Sequence, residues 1–278
     1  MPIKLAVLIP AGTSQYNDLI LRAIKEVQPE DISVDVFNLS PDEGHECIQG
    51  RVDLMHNSFA VVKKSREIEA KGYQGIFLSD FDMCGVEAAR EAIDIPIIGG
   101  FTAAAFSALA LCQRFSIITI LDSTVAMQRE HAYRHSMIDN LVSIRSIGEQ
   151  VGDLTDMDDL NASSEQNSIK LCMHPPFQLK KNKREHAQTE SQGTDKDTLD
   201  IVMEEAKNAV QQDGAESILL GCTGFIDIAA KVTKGLEDEL GIYIPVIDTN
   251  HAGFSFLISL VRMRLKASRK CYIKINKI

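Results

Sequence analysis

Short apolar runs alternate along the chain with stretches whose apolar positions recur at helical spacing. The first run is Leu5–Ile9, and helical patterns follow it over 17–27 and, after a second run, over 58–71. Apolar runs without internal alternation, each followed by a helix, are typical of parallel strands that are covered on both faces. The pattern therefore predicts an α/β fold built on parallel sheets.

Two segments of this pattern look like copies of one unit. Residues 72–80 and 214–222 each begin with a glycine, continue into a short apolar strand and end on a polar residue, Asp80 or Cys222. An internal repeat of this kind predicts two similar lobes of the Rossmann or flavodoxin type, related by a pseudo-twofold axis. Asp80 and Cys222 would then face each other across the cleft between the lobes.

The repeat also suggests where the lobes divide. We assign residues 1–102 together with 248–278 to the first lobe and residues 103–247 to the second. The stretch 149–198 interrupts the alternation of predicted strands and helices, because it is polar and long for a loop inside a compact domain. We treat it as an insertion into the second lobe. Its composition fits a mobile surface loop, a lid or an interface arm.

Charge and cysteine content argue against several classes of partner. The formal net charge is -10, and an acidic surface repels nucleic-acid phosphates and anionic lipid. No apolar run reaches the ~18–20 residues of a membrane-spanning helix, and the first residues lack the organisation of a signal peptide. The six cysteines are spread singly, which indicates free thiols and disfavours a metal site. We therefore expect a cytoplasmic protein that binds neither nucleic acid nor membrane.

The strongest local signal for chemistry is Gly221-Cys222-Thr223-Gly224, which follows the second copied strand. Ligands of parallel α/β sheets bind beyond the carboxyl ends of the strands. A helix is predicted from about residue 226, and its N-terminal dipole would lower the pKa of the Cys222 thiol. The thiolate could then serve as a base or a nucleophile. The alternative is a buried, inert cysteine.

The corresponding loop of the first half holds two carboxylates and a thiol. Asp80, Asp82 and Cys84 precede the next predicted helix, whose dipole favours the anionic form of a carboxylate. Burial beside Phe81 and Met83 would raise the pKa of a carboxyl group, so the net direction stays open. Helix N-capping is an equally natural role for either aspartate. Cys84 is either a second thiol of the site or a packing residue.

Two further loops offer hydroxyl groups at predicted helix starts. They follow the strands that open each half, and they contain Thr13 with Ser14 and Ser123 with Thr124. Such loops can cradle a carboxylate or a phosphate, and plain N-capping is the alternative. Neither loop matches a dinucleotide-binding or Walker motif, so nucleotide binding has no support.

The histidines are weaker candidates. His131 and His135 have the i,i+4 spacing of zinc ligands, but no third ligand completes a motif. Their charged neighbours indicate a solvated helix face. His251 follows the last predicted strand and is a minor candidate for the cleft.

Together these motifs resemble the aspartate/glutamate/hydantoin racemase superfamily, most closely its hydantoin racemase-like branch. The resemblance covers most of the chain outside the insertion. Its motifs are Pro10–Ser14, Gly85–Glu91, Ile95–Gly99, Arg114–Thr119, Leu220–Gly224 and Ile244–Asp248.

The resemblance implies an active site between two α/β lobes and a reaction that needs neither pyridoxal phosphate nor a metal. In the family, two cysteines flank the substrate carbon, and one removes its acidic proton while the other returns a proton to the opposite face. The second-half cysteine corresponds to Cys222. The substrate-binding positions that the resemblance implies are Thr13, Ser14, Ser123, Thr124 and Thr223, and we also expect Phe81 to bind the substrate.

The chain departs from the family at the first cysteine. Asp80 stands at that position, both by alignment of the segment that starts at Gly85 and by the internal repeat, and Cys84 lies four positions later. Either Asp80 is the second acid/base, or Cys84 takes that role, or the enzyme uses one thiol, as the related arylmalonate decarboxylases do.

We therefore expect a cofactor-independent racemase or isomerase of a small amino-acid-like carboxylate or a hydantoin. A one-thiol decarboxylase or lyase is the first alternative, and a non-catalytic protein that binds a small ligand is the second. Homo-oligomers are common in the family, so we expect one here.

Overall fold

The structure is a computed structural model that describes residues 2–150, 154 and 197–275. Its strands are β1 (Ile3–Ile9), β2 (Ile32–Asn38), β3 (Gly75–Leu78), β4 (Ile97–Gly99), β5 (Phe115–Thr119), β6 (Leu141–Ser146), β7 (Ser217–Leu220) and β8 (Val246–Ile247). Its helices are α1 (Asn17–Val27), α2 (Arg51–Ala70), α3 (Val86–Ala92), α4 (Gly100–Leu109), α5 (Asp122–Arg134), α6 (Thr198–Gln211), α7 (Ala229–Leu240) and α8 (Thr249–Arg262).

The strands of the described residues form two four-stranded sheets with the same internal order. The first sheet runs β2-β1-β3-β4 and the second β6-β5-β7-β8. The strands pair in parallel in both sheets. Each strand of the first sheet thus has a counterpart at the same place in the second, which confirms the predicted α/β fold with two similar lobes.

The two copied segments occupy equivalent places within the sheets. Ile76 in β3 donates a backbone hydrogen bond to the carbonyl oxygen of Pro96 at 2.9 Å, and Ile218 in β7 donates one to Pro245 at 3.0 Å. The residues that follow these two strands therefore leave their sheets at equivalent points.

Helices cover both faces of the first sheet. Successive side chains of a strand point to opposite faces, so Leu5 and Val7 of β1 share a buried cluster with α1 and α8, whereas Leu8 packs with α2. Helix α8 packs tightly against the sheet at Gly253, where an added Cβ would lie 2.1 Å from Cε2 of Phe77. Only glycine fits this contact without a shift of the helix or the strand.

One hydrophobic core runs through both lobes. Leu8 and Ile76 of the first sheet belong to the same buried cluster as Ile117 and Leu219 of the second. Helix α4 contributes to this cluster and contacts both α8 and β7. Because protein cores are close-packed, this shared core holds the strand ends of the two sheets at a fixed separation.

Two sequence predictions stay predictions. The division of the lobes near residues 102 and 247 is one of them, and the insertion 149–198 lies almost entirely outside the described residues. No described helix combines the length and the apolar character that crossing a membrane requires.

Candidate active site

A cavity of about 120 Å³ lies at the carboxyl ends of β1, β3 and β7, and both lobes contribute to its wall. Its first-lobe lining is Ile9, Pro10, Ala11, Tyr16, Leu19, Ile20, Glu46, Cys47, Ile48, Ser79, Asp80, Phe81 and Asp82. Its second-lobe lining is Ile120, Leu154, Gly221, Cys222, Thr223, Gly224 and Ile226. Parallel α/β sheets bind ligands at this edge. An engineered cavity of ~150 Å³ takes up benzene, so this one suits a ligand of small-ring size.

Asp80 lies just beyond β3, and backbone donors hold its carboxylate. The N–H of Cys84 donates to Oδ2 at 2.7 Å, and the backbone of Asp82 donates as well. The loop turns back on the carboxylate because Met83 and Gly85 adopt φ angles of 55° and 68°. Burial raises the pKa of Asp80 to about 6, and the two backbone hydrogen bonds limit the rise. Such a carboxylate is mostly ionised at neutral pH and is well matched to general base catalysis.

Cys222 has the equivalent place beyond β7. The backbone N–H of Gly224 donates to its Sγ at 3.3 Å. The predicted lowering of the thiol pKa is wrong, because burial raises this pKa to about 12. The negative charges of Asp80 and Asp82 also raise it, and the hydrogen bond from Gly224 lowers it. The following helix begins only at Ala229, and a helix dipole acts within about one turn. Cys222 therefore rests as a neutral thiol that can donate a proton.

Hydrogen bonds tie the two strand ends together beneath the cavity. The hydroxyl group of Thr223 donates to the carbonyl oxygen of Ser79 at 3.3 Å. The Ser79 hydroxyl donates to Oδ1 of Asn250 at 3.0 Å, and Nδ2 of Asn250 donates to the Thr223 carbonyl oxygen at 2.9 Å. Ser79 precedes Asp80 and Thr223 follows Cys222, so this network fixes the two residues relative to each other.

Cys84 lies behind the cavity wall. Its Sγ is 3.5 Å from the Ser58 hydroxyl and 3.4 Å from the Leu54 carbonyl oxygen, both on α2. Burial, followed by the charge of Asp80, raises the pKa of this thiol. Of the two first-half candidates for the acid/base, Asp80 lines the cavity and Cys84 faces α2.

Phe81 and Thr223 are the two predicted substrate-binding residues that line the cavity. The loop that contains Thr13 and Ser14 lies outside the lining. The Thr13 hydroxyl accepts a hydrogen bond from the backbone N–H of Gln15 at 3.3 Å, and Ser14 is exposed.

The predicted pair on α5 also lies outside the lining. The Ser123 hydroxyl donates to the carbonyl oxygen of Gln49 at 2.6 Å. The Thr124 hydroxyl is buried and bonds that of Thr119 at 2.7 Å. Both hydroxyl groups are thus engaged within the protein, and a substrate-binding role for either of them stays a prediction.

Sequence analysis missed several polar residues of the lining, among them Tyr16 and Glu46. Tyr16 follows the loop after β1, and its hydroxyl is buried with no hydrogen-bond partner among the described residues. Burial raises the pKa of this phenol. Glu46 comes from the stretch between β2 and α2. Tyr16 comes two residues after Ser14 of the candidate ligand loop, and this proximity could have pointed to it. No sequence motif pointed to Glu46.

The described part of the lining is acidic. It includes Glu46, Asp80 and Asp82, and it has no lysine, arginine or histidine. Among the described residues, no group of three or more His, Cys, Asp or Glu side chains is placed to hold a metal ion. The cavity therefore presents carboxyl groups and one free thiol to a ligand in an otherwise mostly apolar wall.

The three candidate histidines, His131, His135 and His251, lie outside the cavity wall. The prediction of a solvated face is wrong for His131, which is buried with its ring centroid 5.5 Å from that of Phe101. Burial lowers the pKa of His131 to about 4, and His135 is half-buried. The backbone N–H of His251 donates to Oδ1 of Asp248 at 2.9 Å, which caps α8.

Among the described residues, four cysteines are free thiols, at positions 84, 112, 222 and 271. Cys47 is disulfide-bonded. The prediction that all six cysteines are free is therefore wrong at Cys47.

Known proteins resemble the chain in sequence and in fold. A family model described as Asp/Glu/Hydantoin racemase matches residues 5–172 and 177–257. A hydantoin racemase from Pseudomonas sp. (strain NS671) is 25% identical over 267 residues, which are 96% of this chain and 89% of the relative. An allantoin racemase structure from Klebsiella pneumoniae has a TM-score of 0.76 at 22% identity, with 99% and 95% of the two chains covered. Unliganded arylmalonate decarboxylase has a TM-score of 0.56 at 16% identity, with 94% and 93% covered.

Proposed function

Since the chain belongs to the Asp/Glu/hydantoin racemase family, we propose that it is a cofactor-independent racemase that uses Asp80 and Cys222 as its acid/base pair. One observation carries the proposal. The two residues follow equivalent strands of the two sheets and line the same cavity, where they offer a carboxylate and a thiol that can exchange protons with an acidic carbon.

In the resting enzyme Asp80 is the base and Cys222 the acid. The Asp80 carboxylate, with a pKa of about 6, removes the proton from the acidic carbon–hydrogen bond of the substrate. The Cys222 thiol, with a pKa of about 12, gives its proton to the opposite face of the planar intermediate. This leaves a protonated carboxyl group and a thiolate. Proton exchange with water then restores the resting pair, and the other enantiomer reacts from the thiolate form.

We propose that the substrate is a neutral ring such as a hydantoin, and not a free carboxylate. The described lining has acidic groups and no cationic side chain. A substrate carboxylate would lose its hydration beside Asp80 with no positive charge to compensate, which is costly. Apolar side chains such as Ile9 and Ile226 complete the wall and suit a small ring. Three relatives named hydantoin racemase agree with this class.

The test follows the loss of optical activity of an enantiopure 5-alkylhydantoin. The wild type should racemise it, and Cys222→Ala and Asp80→Ala should each lose about 10²-fold or more of the rate, which is the usual contribution of a general acid or base. Cys271→Ala at a free, exposed cysteine and Asp139→Asn at an exposed aspartate are the matched controls. Racemisation that survives in Cys222→Ala would contradict the assignment.

One observation favours a second candidate function. The cavity offers one free thiol, because Cys84 faces α2, and the chain shares its fold with arylmalonate decarboxylase. A one-thiol decarboxylase would release carbon dioxide from a substituted malonate and keep its activity in Asp80→Ala. The acidic lining disfavours such a dianionic substrate, so carbon dioxide release from 2-alkylmalonates tests the two candidates directly.

A further inference from the structure

Tyr16 brings a hydroxyl group to the cavity that the proposed proton transfer leaves without a role. The hydroxyl oxygen is buried and has no hydrogen-bond partner among the described residues. Burial raises the pKa of Tyr16, and negative charge on Cys222 and Glu46 raises it further, so the phenol oxygen lies within electrostatic range of wall residues from both lobes. Buried polar groups are normally hydrogen-bonded. An unpartnered hydroxyl in a ligand cavity therefore points to a ligand as its partner.

The other hydroxyl groups of the described lining already donate within the protein. Ser79 donates to Oδ1 of Asn250 at 3.0 Å, and Thr223 donates to the carbonyl oxygen of Ser79 at 3.3 Å. The remaining polar side chains of this lining are carboxyl groups and sulfur atoms. Among the described lining residues, Tyr16 is thus the one whose O–H group is available as a donor to a ligand.

The neighbouring Gln15 side chain does not compete for this O–H group. It makes no hydrogen bond with the hydroxyl in the structure, and it lowers the pKa of Tyr16. A polar group that lowers the pKa of a phenol faces the oxygen as a donor, because it favours the anion. The rise caused by burial is larger, so Tyr16 keeps its proton at neutral pH.

The segment that carries Tyr16 is held in place by the protein itself. Nδ2 of Asn57 donates to the carbonyl oxygen of Pro10 at 2.8 Å. Nδ2 of Asn38 donates to the carbonyl oxygen of Thr13 at 2.7 Å. The Tyr16 ring packs against the buried cluster that β1 shares with α1 and α8. A donor that is fixed in advance stabilises developing charge without a cost of reorganisation.

The proposed reaction needs such a donor. Removal of the acidic proton of a hydantoin moves negative charge onto the carbonyl oxygen next to the acidic carbon. Glu46, Asp80 and Asp82 line the cavity, and the described lining has no cationic side chain that could balance this charge. Neutral hydrogen-bond donors can stabilise the oxyanion, and they do so most strongly where the local dielectric is low.

We infer that Tyr16 is a catalytic residue whose hydroxyl donates a hydrogen bond to the carbonyl oxygen next to the acidic carbon of the ring, and that this bond strengthens as the acidic proton is removed. The inference rests on the proposed function, because it adds a third residue to the same reaction. The phenol keeps its proton throughout. Asp80 and Cys222 remain the pair that exchanges protons with the carbon.

The first experiment separates kcat from KM in the racemisation of an enantiopure 5-alkylhydantoin. Tyr16→Phe keeps the ring and loses the O–H group. It should lower kcat about tenfold, in addition to raising KM about threefold to tenfold, because a hydrogen bond to a charged oxygen is stronger than one to a neutral carbonyl. Tyr243→Phe, at an exposed tyrosine outside the cavity, is the matched control and should leave both constants unchanged. An unchanged kcat in Tyr16→Phe would overturn the inference.

The second experiment identifies the oxygen that Tyr16 contacts. Sulfur accepts hydrogen bonds weakly, so the 4-thioxo analogue, with sulfur next to the acidic carbon, gains little from the Tyr16 hydroxyl. The ratio of kcat/KM for the hydantoin to kcat/KM for this analogue should fall about tenfold from wild type to Tyr16→Phe. The 2-thioxo analogue, with sulfur at the remote carbonyl position, is the control, and its ratio should not change.

The outcomes separate this inference from the proposed function. A merely structural defect in Tyr16→Phe would slow all three substrates alike, so unchanged ratios would overturn the contact. A fall in the 2-thioxo ratio in place of the 4-thioxo ratio would also overturn it, because Tyr16 would then bind the remote carbonyl group. If the wild type racemises no hydantoin, the proposed function fails, and the inference fails with it.

Discussion

Replacement of the proposed base should make the protein more stable while it abolishes activity. Asp80 is ionised at neutral pH although burial raises its pKa from 3.8 to about 6. The rise of this pKa from 3.8 to about 6 corresponds to about 3 kcal/mol, by which the ionised Asp80 side chain lowers the free energy of unfolding. Asp80→Asn removes this cost and keeps an oxygen that can accept from Cys84. Because the rise of the pKa to about 6 already includes the backbone hydrogen bonds, the expected gain is about 3 kcal/mol.

The sign of the effect depends on pH. The native pKa of Asp80 is raised above its unfolded value, so the favourable contribution of the protonated group is fully present below pH 3.8 and is lost as the pH rises through about 6. The variant should therefore gain stability over the wild type across this window. At pH 7 its gain is complete, and at pH 4 the gain is close to zero.

Thermal unfolding of wild type and Asp80→Asn at pH 7 and pH 4 measures this difference. In a chain of this size a gain of about 3 kcal/mol raises the Tm by about 5 °C. Asp139→Asn, at an exposed position, is the control for the loss of one formal charge and should leave the Tm unchanged. An Asp80→Asn variant that is equally stable or less stable at pH 7 would refute the reasoning, because Asp80 would then not be a desolvated carboxylate.

Three further predictions concern other residues. Iodoacetamide should modify Cys222 slowly at pH 7, because the pKa of its thiol is about 12. Asp80→Asn should speed the reaction, because the negative charge of Asp80 contributes to that high pKa, and mass spectrometry measures both rates. Gly253→Ala should lower the free energy of unfolding by about 1–3 kcal/mol in urea titrations, because the new Cβ would lie 2.1 Å from Phe77, and an unchanged midpoint would contradict this. Tyr16→Phe should raise KM for the substrate about threefold to tenfold if the unpartnered hydroxyl binds it; an unchanged KM would exclude the contact.

The two-lobe fold could be predicted because its signals are local. Each copied unit begins with a glycine, and Gly72 and Gly214 indeed adopt left-handed φ angles of 83° and 74° where the preceding helices end. The apolar run between each glycine and its polar residue has the length of a short buried strand. Equivalent positions in the two units then identified Asp80 and Cys222 as partners without knowledge of any contact between the lobes.

The electrostatics of the site could not be predicted in the same way. The pKa of Cys222 depends first on burial, which both lobes create together, and the predicted helix start near 226 gave the opposite sign. His131 is buried against Phe101, which comes from α4 and has no local signature in the sequence around the histidine. Burial and pKa values that arise from contacts between distant segments therefore could not be predicted from local sequence patterns.

The most direct test of the acid/base pair is the stereochemistry of proton exchange in heavy water. Each enantiomer of a 5-alkylhydantoin is incubated separately with wild type, Cys222→Ala and Asp80→Asn, and deuterium at the acidic carbon and optical purity are both followed. If the two residues act on opposite faces, each variant should still exchange the proton of one enantiomer without inverting it, and the two variants should select opposite enantiomers. Exchange of the same enantiomer by both variants, or racemisation by either of them, would contradict the assignment.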